Sequence, residues 1–410
     1  MLKKAVLALA IGSVTLASHA ATPSSEELYE LIKQQQAQIE ALKAKLEKTD
    51  KKVAVAEQDL GAKIEATAEA VEQSAAAGAA SKTSIGGYGE LHLNRLNGID
   101  GASDKNEIDF HRFVLFFGHQ FNDKVRFYSE FELEHALAGD GKPGEVELEQ
   151  AYIEWDFAQN HSLQSGVFLI PVGILNETHE PDTFYGVERN NVEKNIIPTT
   201  WWEGGLNFKG ELAEGLTYNA AGHSGLYLAD GKYKIRDGRQ KVASAPADTF
   251  AYTGRIKYTG VPGLELAATL NYQDDMMQGE DRLGQGKLDA LLFEAHAVYQ
   301  SANGFGLRAL YAQWDLNSQI NDVAAGADEQ YGWYIEPSFR INENWGTFAR
   351  YSMWDNQAGS SADTEYGEWS LGVNYWIAPN AVLKADIVSE EVPTGKDRRE
   401  GFNLGVGYSF

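Results

Sequence analysis

Cysteine is absent from the 410 residues, and proline (10) and methionine (4) are scarce. The lack of cysteine removes disulfide scaffolds, thiolate metal sites and cysteine nucleophiles. Basic residues are also few: 35 Lys and Arg stand against 59 Asp and Glu, a net charge of −24. Phosphate backbones repel such a surface, so no nucleic-acid partner is expected. After the first twenty residues no uninterrupted apolar run approaches the ~20 residues that a membrane-spanning helix needs. Helical membrane proteins are thereby excluded. Membrane β-barrels are not, because their strands are apolar only at alternate positions and average out as hydrophilic. What the chain does have is glycine (41) and 11% aromatics, a composition that leans toward strands and turns.

At the start, Lys3 and Lys4 precede an apolar stretch from Ala5 to Leu16, followed by the small residues Ala17, Ser18 and Ala20. This reads as a secretory signal, 1–20, whose removal leaves an exported chain of charge −26. Over 24–72 a heptad seam follows: Leu28, Ile32, Gln35, Ile39, Leu42, Leu46, Thr49, Val53, Ala56, Leu60. Pro23, Ser24 and Ser25 before Glu26 and Glu27 make a good helix start. So narrow a stripe needs partner helices, which predicts a homo-oligomeric coiled coil on the order of 70 Å long. Small residues between Ser74 and Ser81 mark a linker, 73–83.

From Ser84 the period switches to two. Phe402, Leu404, Val406, Tyr408 and Phe410 share one face of the last segment, while Gly, Asn and Ser on the other carry almost no bulk. The same alternation runs through Trp369–Ile377, Trp345–Met353, Tyr331–Phe339, Phe305–Tyr311, Phe250–Tyr258 and Val125–Leu133. Aromatics gather at segment ends, where a membrane barrel places its interfacial girdles. Tight turns such as Gly260–Gly263 and Ala378–Asn380 alternate with long polar stretches near 96–105, 139–144, 173–200, 225–247, 273–287, 315–328, 355–366 and 389–399. This predicts an all-β fold over 84–410: a closed antiparallel transmembrane β-barrel of sixteen strands, eight long loops and seven short turns, with about 20 residues per strand and connection. An even strand count returns the C-terminus to the periplasmic side, together with the coil. A secreted β-sandwich is the competing fold, and it would not require the short and long connections to alternate.

The segments EQAYIEWDF (149–157), SGVFLIPVGILNETHEPDTFYGVERN (165–190) and TTWWEGG (199–205) resemble the phosphate- and pyrophosphate-selective porin family. The N-terminal heptads resemble those of related trimeric porins that carry a periplasmic coil and pass small organic diacids. The resemblance implies a homotrimeric anion channel in the outer membrane of a Gram-negative bacterium. It also implies that the loop after the fifth strand, 173–200, folds inward as a constriction carrying Glu177, Glu180, Asp182, Glu188, Arg189 and Lys194. The solutes implied are small anions, phosphate or organic acids.

Strand parity then assigns Arg126, Arg255, Lys257, Arg308, Arg340, Arg350 and Lys384 to the lumen, with Lys209 beside them and Arg112 on a strand apolar on both faces. On the lipid face each such charge would cost ~2–4 kcal/mol at mid-depth. Parity turns Glu130, Glu132, Glu134, Glu336, Glu368 and Asp386 inward as well. Opposed acidic and basic walls fit a weakly selective or cation-preferring porin as the alternative. The basic run Lys232–Lys241 reads as a surface that draws anions to the mouth or meets lipopolysaccharide phosphates, or as an ordinary solvated loop. Catalysis is not expected: no serine nucleophile motif or zinc-type histidine pair is present. No metal site or cofactor is expected either, and acidic loops such as Asp274–Asp275 lack a specific ligand spacing. A tether or adhesin, with the coil touching peptidoglycan and the barrel as its anchor, is the second alternative.

Overall fold

The computed structural model describes residues 82–228, 233–279, 287–317 and 326–410, together with isolated helical positions at Lys33, Gln36, Glu40 and Lys43. The expected signal segment lies outside the described residues, as do the coiled coil, apart from those four positions, and nearly all of the linker. Sixteen strands follow: β1 (Thr83–Ile99), β2 (Lys105–Asn122), β3 (Val125–Glu134), β4 (Val146–Ala158), β5 (His161–Leu169), β6 (Trp202–Ala213), β7 (Leu216–Ser224), β8 (Phe250–Val261), β9 (Leu264–Gln273), β10 (Ala290–Gln300), β11 (Phe305–Leu316), β12 (Glu329–Arg340), β13 (Trp345–Asp355), β14 (Tyr366–Ala378), β15 (Ala381–Glu391) and β16 (Arg398–Ser409). Each pairs antiparallel with its neighbours in sequence, and β1 closes on β16 with Tyr88 opposite Ser409 and Ile99 opposite Arg398. Closure satisfies every strand's backbone groups and leaves no edge.

Short turns (123–124, 159–160, 214–215, 262–263, 301–304, 341–344, 379–380) alternate with longer connections, so the barrel has a turn end and a loop end. The first long connection is shorter than the sequence suggests. Leu96 and Asn97 pair with Gly401 and Glu400, which extends β1 to Ile99 and leaves only 100–104 as loop.

The apolar faces point outward. Trp369 is 52% and Phe402 45% exposed, and Leu371, Val373, Ile387, Leu404 and Val406 are exposed beside them. On a soluble protein this surface would be untenable. Aromatic pairs mark both ends of one strand pair, Trp345–Tyr375 at 4.5 Å between ring centroids and Tyr351–Trp369 at 4.6 Å, as interfacial girdles require. Met353 lies opposite Trp333 in the β12 ladder, on the same face, and is largely covered by its neighbours there.

Inside, the connection 170–201 (loop L3, with the single helical turn α1, Val192–Asn195) makes a dry core against one side of the wall. Ile170, Val172, Ile174, Val192, Ile196, Ile197 and Trp201 pack with Leu292, Leu310, Ala312, Trp314 and Tyr334 of β10–β12. Trp314 Nε1 donates to the Ile196 carbonyl at 2.9 Å, which satisfies the one polar atom of that ring.

Candidate functional site

Loop L3 reaches the rest of the wall through polar contacts. Glu193 ties its two limbs together: one carboxylate oxygen accepts from the Ile174 and Leu175 amides, both at 2.6 Å. The other accepts from Asn190 Nδ2 at 3.0 Å and the Tyr334 hydroxyl at 3.1 Å. Burial raises the Glu193 pKa above the ordinary carboxyl range against the opposing effect of these donors. Farther along, Arg308 donates to the Thr183 carbonyl at 2.8 Å, Asn374 to that of Phe184 at 3.2 Å and Arg350 to that of Glu188 at 3.2 Å, while Asp386 accepts from the Val187 amide at 2.6 Å. The near-bulkless inner face of β16 gives the loop room for a close approach. A Cβ at Gly407 would lie 2.5 Å from Pro181 Cβ, and one at Gly405 would lie 3.1 Å from Val187. Only glycine admits that approach.

His179 is the loop's charged anchor. It is buried, with Nε2 3.2 Å from Glu130 and 3.5 Å from Glu149, while Arg112 donates to its carbonyl at 2.7 Å. Burial alone would lower its pKa; the Glu130 and Glu149 carboxylates outweigh that and hold it well above the usual imidazole range. Glu188 shows the opposite sign. Burial would raise its carboxyl pKa, but His92 at 3.2 Å and Asn94 at 3.0 Å hold it well below the usual range.

The basic residues assigned inward by parity do not form a uniform ladder. Arg112, Arg255, Arg350 and Lys384 are buried. Arg112 pairs with Glu90 at 2.5 Å, Arg255 with Glu177, and Arg350 with Glu336 at 3.3 Å; Lys384 Nζ sits 3.7 Å over the Phe184 ring without a hydrogen bond. These four hold the loop and the wall rather than facing open water. Arg126 (to Asp156 at 2.8 Å), Lys209 (to Glu154 at 2.8 Å), Lys257 (to Glu265 at 3.6 Å) and Arg308 are more accessible. Arg340 lies over the Trp376 ring beside the turn 341–344. Glu132 is buried and Glu134 half-buried. In L3, Asp182 accepts from the Ser409 hydroxyl at 3.0 Å, Arg189 donates to Thr200 at 2.9 Å, and Glu180 is half-buried.

Of the readings left open for the basic run, contact with headgroups and free solvation do not fit its described part, 233–241. Its two central arginines turn inward: Arg236 donates to the Thr199 carbonyl and Arg239 to that of Thr200, each at 2.6 Å, and Lys241 pairs with Glu145 at 2.6 Å and with Glu147. The arginines therefore roof the lumen rather than meet headgroups. Burial, and then the charge of Arg239, lowers the Arg236 pKa to about 10. Lys194 is likewise lowered by burial, with Arg236 and Lys105 reinforcing the shift against Glu188. Asp275, in an acidic loop, accepts from the Met277, Gly279 and Leu288 amides at 2.9–3.0 Å and so caps its own loop.

Two cavities flank L3 and share no lining residue. The one toward the turn end holds about 930 Å³, and its charged lining is Lys209, Arg255 and the protonated His179 against Glu130, Asp156, Glu177, Glu180 and Glu211. The one toward the loop end holds about 440 Å³ and is lined by eight Lys and Arg side chains, among them Arg189, Lys194, Arg236 and Arg239, against seven Glu.

Sequence parity missed Glu90, His92, Glu149 and Glu154 of the inner wall. Two of the reasons are bulges. Outward apolar residues of β4 fall on even numbers at Val146 and Leu148 and on odd numbers from Ile153, and the register shifts at Glu149 between them. That flip is visible in the sequence. In β2, Leu91 faces Phe110 and Glu90 faces Arg112, so His111 is the extra residue. Among the described residues, the ligand-type clusters are Asp109–His111–His135 at the loop end and two wholly buried groups around Glu149.

The model of the family described as phosphate-selective porin O and P matches residues 85–243. A protein of Aquifex aeolicus (strain VF5), described as uncharacterized, is 32% identical over 353 residues, 77% of this chain and 77% of its own length. Among solved structures, the anion-selective porin from Comamonas acidovorans matches with a TM-score of 0.58 at 11% identity, over 80% of this chain and 99% of that one. Salmonella typhi OmpF in complex with daunomycin gives 0.57 at 16%, over 80% and 97%. The outer membrane channel DcaP of Acinetobacter baumannii gives 0.56 at 14%, over 80% and 97%. At such identities these structures are similar to this one in fold alone.

Proposed function

We propose that this chain, which belongs to the phosphate-selective porin O and P family, is a passive outer-membrane diffusion channel for small hydrophilic solutes that prefers anions. The family and the fold are those of channels, not enzymes. One observation carries the anion preference: Lys194, Arg236 and Arg239 crowd the rim of the loop-end cavity, where burial and the charge of Arg239 push the Arg236 pKa down and the charge of Arg236 acts the same way on Lys194. Such a rim lowers the energy of an entering anion and concentrates it at the opening. The acidic lining of the turn-end cavity limits the effect, so the preference is moderate rather than absolute. Phosphate and small organic acids are the solute classes of matching size and charge. Inward parity alone would be a poor argument, because lipid forbids these charges on the outside in any barrel.

A homotrimer, with the heptad segment 24–72 as its periplasmic coil, belongs to the same reading. Deleting 24–80 and asking whether trimers survive separates a coil that sets the oligomer from one that serves another purpose. Selectivity is tested by the reversal potential of the purified protein in a planar bilayer under a salt gradient. An anion-favouring potential is expected. A cation-favouring one overturns the selectivity and leaves the channel standing, whereas absence of conductance overturns both.

A further inference from the structure

The loop end of the lumen carries a group of side chains that permeation does not need. Asp109 Oδ2 lies 2.8 Å from His135 Nδ1 and 3.4 Å from His111 Nδ1, so two imidazoles converge on one carboxylate oxygen. All three ligand atoms lie within 4.8 Å of one another. Around a tetrahedral zinc with bonds of about 2.0–2.1 Å, ligand atoms stand about 3.3 Å apart. The 3.4 Å separation already matches that distance, and the 2.8 Å contact has only about 0.5 Å to open.

The backbone holds this arrangement from two directions. His111 is the extra residue of the β2 bulge, which lets it face inward together with Asp109 and Arg112. His135 follows β3 with φ +52°, and its amide donates to the His111 carbonyl at 3.1 Å. Both rings line the loop-end cavity, with side chains 37% and 34% exposed, so an ion arriving from water can reach them. His92 stacks on His111 at 4.8 Å between ring centroids. Its own nitrogens lie 3.2 Å from Glu90 and from Glu188, so it orients the His111 ring and is not itself free to ligate. The guanidinium of Arg112, next in sequence to His111, is already neutralised by Glu90. The two clusters around Glu149 lack these properties: their side chains are largely buried, each offers at most one imidazole, and His179 and Lys241 already lie against their carboxylates.

We infer that Asp109, His111 and His135 form a binding site for a divalent transition-metal cation at the loop-end mouth of the barrel. Two imidazoles and one carboxylate suit zinc, copper or nickel, whereas calcium and magnesium demand oxygen donors. Solvent completes the coordination. A bound dication adds positive charge beside the rim formed by Lys194, Arg236 and Arg239.

Binding is read on the folded protein without transport, so failure here and failure of the channel reading are distinguishable. The full chain in detergent is stripped with a chelator and titrated with Zn²⁺ by calorimetry, then with Co²⁺ by visible absorption. Expected is about one site per chain, weakened about tenfold or more by His135→Gln and by His111→Gln and unchanged by His161→Gln at the opposite end. His135→Gln alters a loop residue, and heat-modifiable gel migration verifies its barrel. Absence of Zn²⁺ binding, or binding that survives both substitutions, overturns the proposal. Equal binding of Mg²⁺ would mark an acidic surface instead and overturn it as well.

Discussion

Gly407 on β16 and Pro181 in loop L3 touch where no side chain can intervene: a Cβ on the glycine would stand 2.5 Å from the proline's. Gly407→Val is therefore expected to push the loop off the wall, at a strain of ~1–3 kcal/mol. Single-channel recording should show a larger and noisier conductance. An unchanged channel would show that L3 does not rest there in the membrane.

The His179 anchor has a pH signature with a definite sign. Its pKa is raised well above the ordinary 6.5 by Glu130 and Glu149 against burial. The stabilisation it supplies is fully present below about 6.5 and is lost as pH rises through the elevated folded value. Conductance should stay level from mildly acidic to neutral pH and change in the alkaline range as the loop loosens. His179→Gln should abolish that alkaline transition; a variant that keeps it would assign the transition to another group.

Charge at the rim is tested by Arg236→Glu together with Arg239→Glu. Raising an anion's energy at the rim and lowering a cation's by about 1 kcal/mol each corresponds to roughly a thirtyfold fall in the anion-to-cation permeability ratio. Lys241→Gln should change the ratio far less, because Glu145 and Glu147 already neutralise that lysine. Equal effects would place the selectivity elsewhere.

Glu193→Ala removes an acceptor shared by two amides, Asn190 and Tyr334. The orphaned donors cost about 1–3 kcal/mol each where water cannot replace the carboxylate. Proteolysis within 170–201 should accelerate while the barrel itself resists. Unaltered cleavage would mean that the apolar contacts with β10–β12 suffice to hold the loop.

Strand number, closure and the outward face were legible because lipid imposes a strict period of two, and Trp369, Leu371 and Phe402 obey it. The inward set was legible for the same reason, but only by face. Parity cannot distinguish Arg308, reachable from water, from Arg350, sealed beneath the Glu188 carbonyl, because that depends on where a loop distant in sequence comes to rest. Arg236 and Arg239 misled in the same way: a run of basic residues reads as a solvated surface until the carbonyls of Thr199 and Thr200 are found beneath it. Bulges were the other obstacle. Each inserts one residue and reverses the parity beyond it, so Glu149 and His111 escaped although the apolar residues on either side record the reversal.

The hydrophobic cement between L3 and β10–β12 has a consequence for how such a channel can be altered. Along that arc the bore is already filled and dry, so substitutions there change how firmly the obstruction is fixed. Tuning what passes is left to the rim residues Lys194, Arg236 and Arg239 and to the opposite arc, from β14 through β16 to β5, where the loop meets the wall through glycines, carboxylates and guanidinium groups.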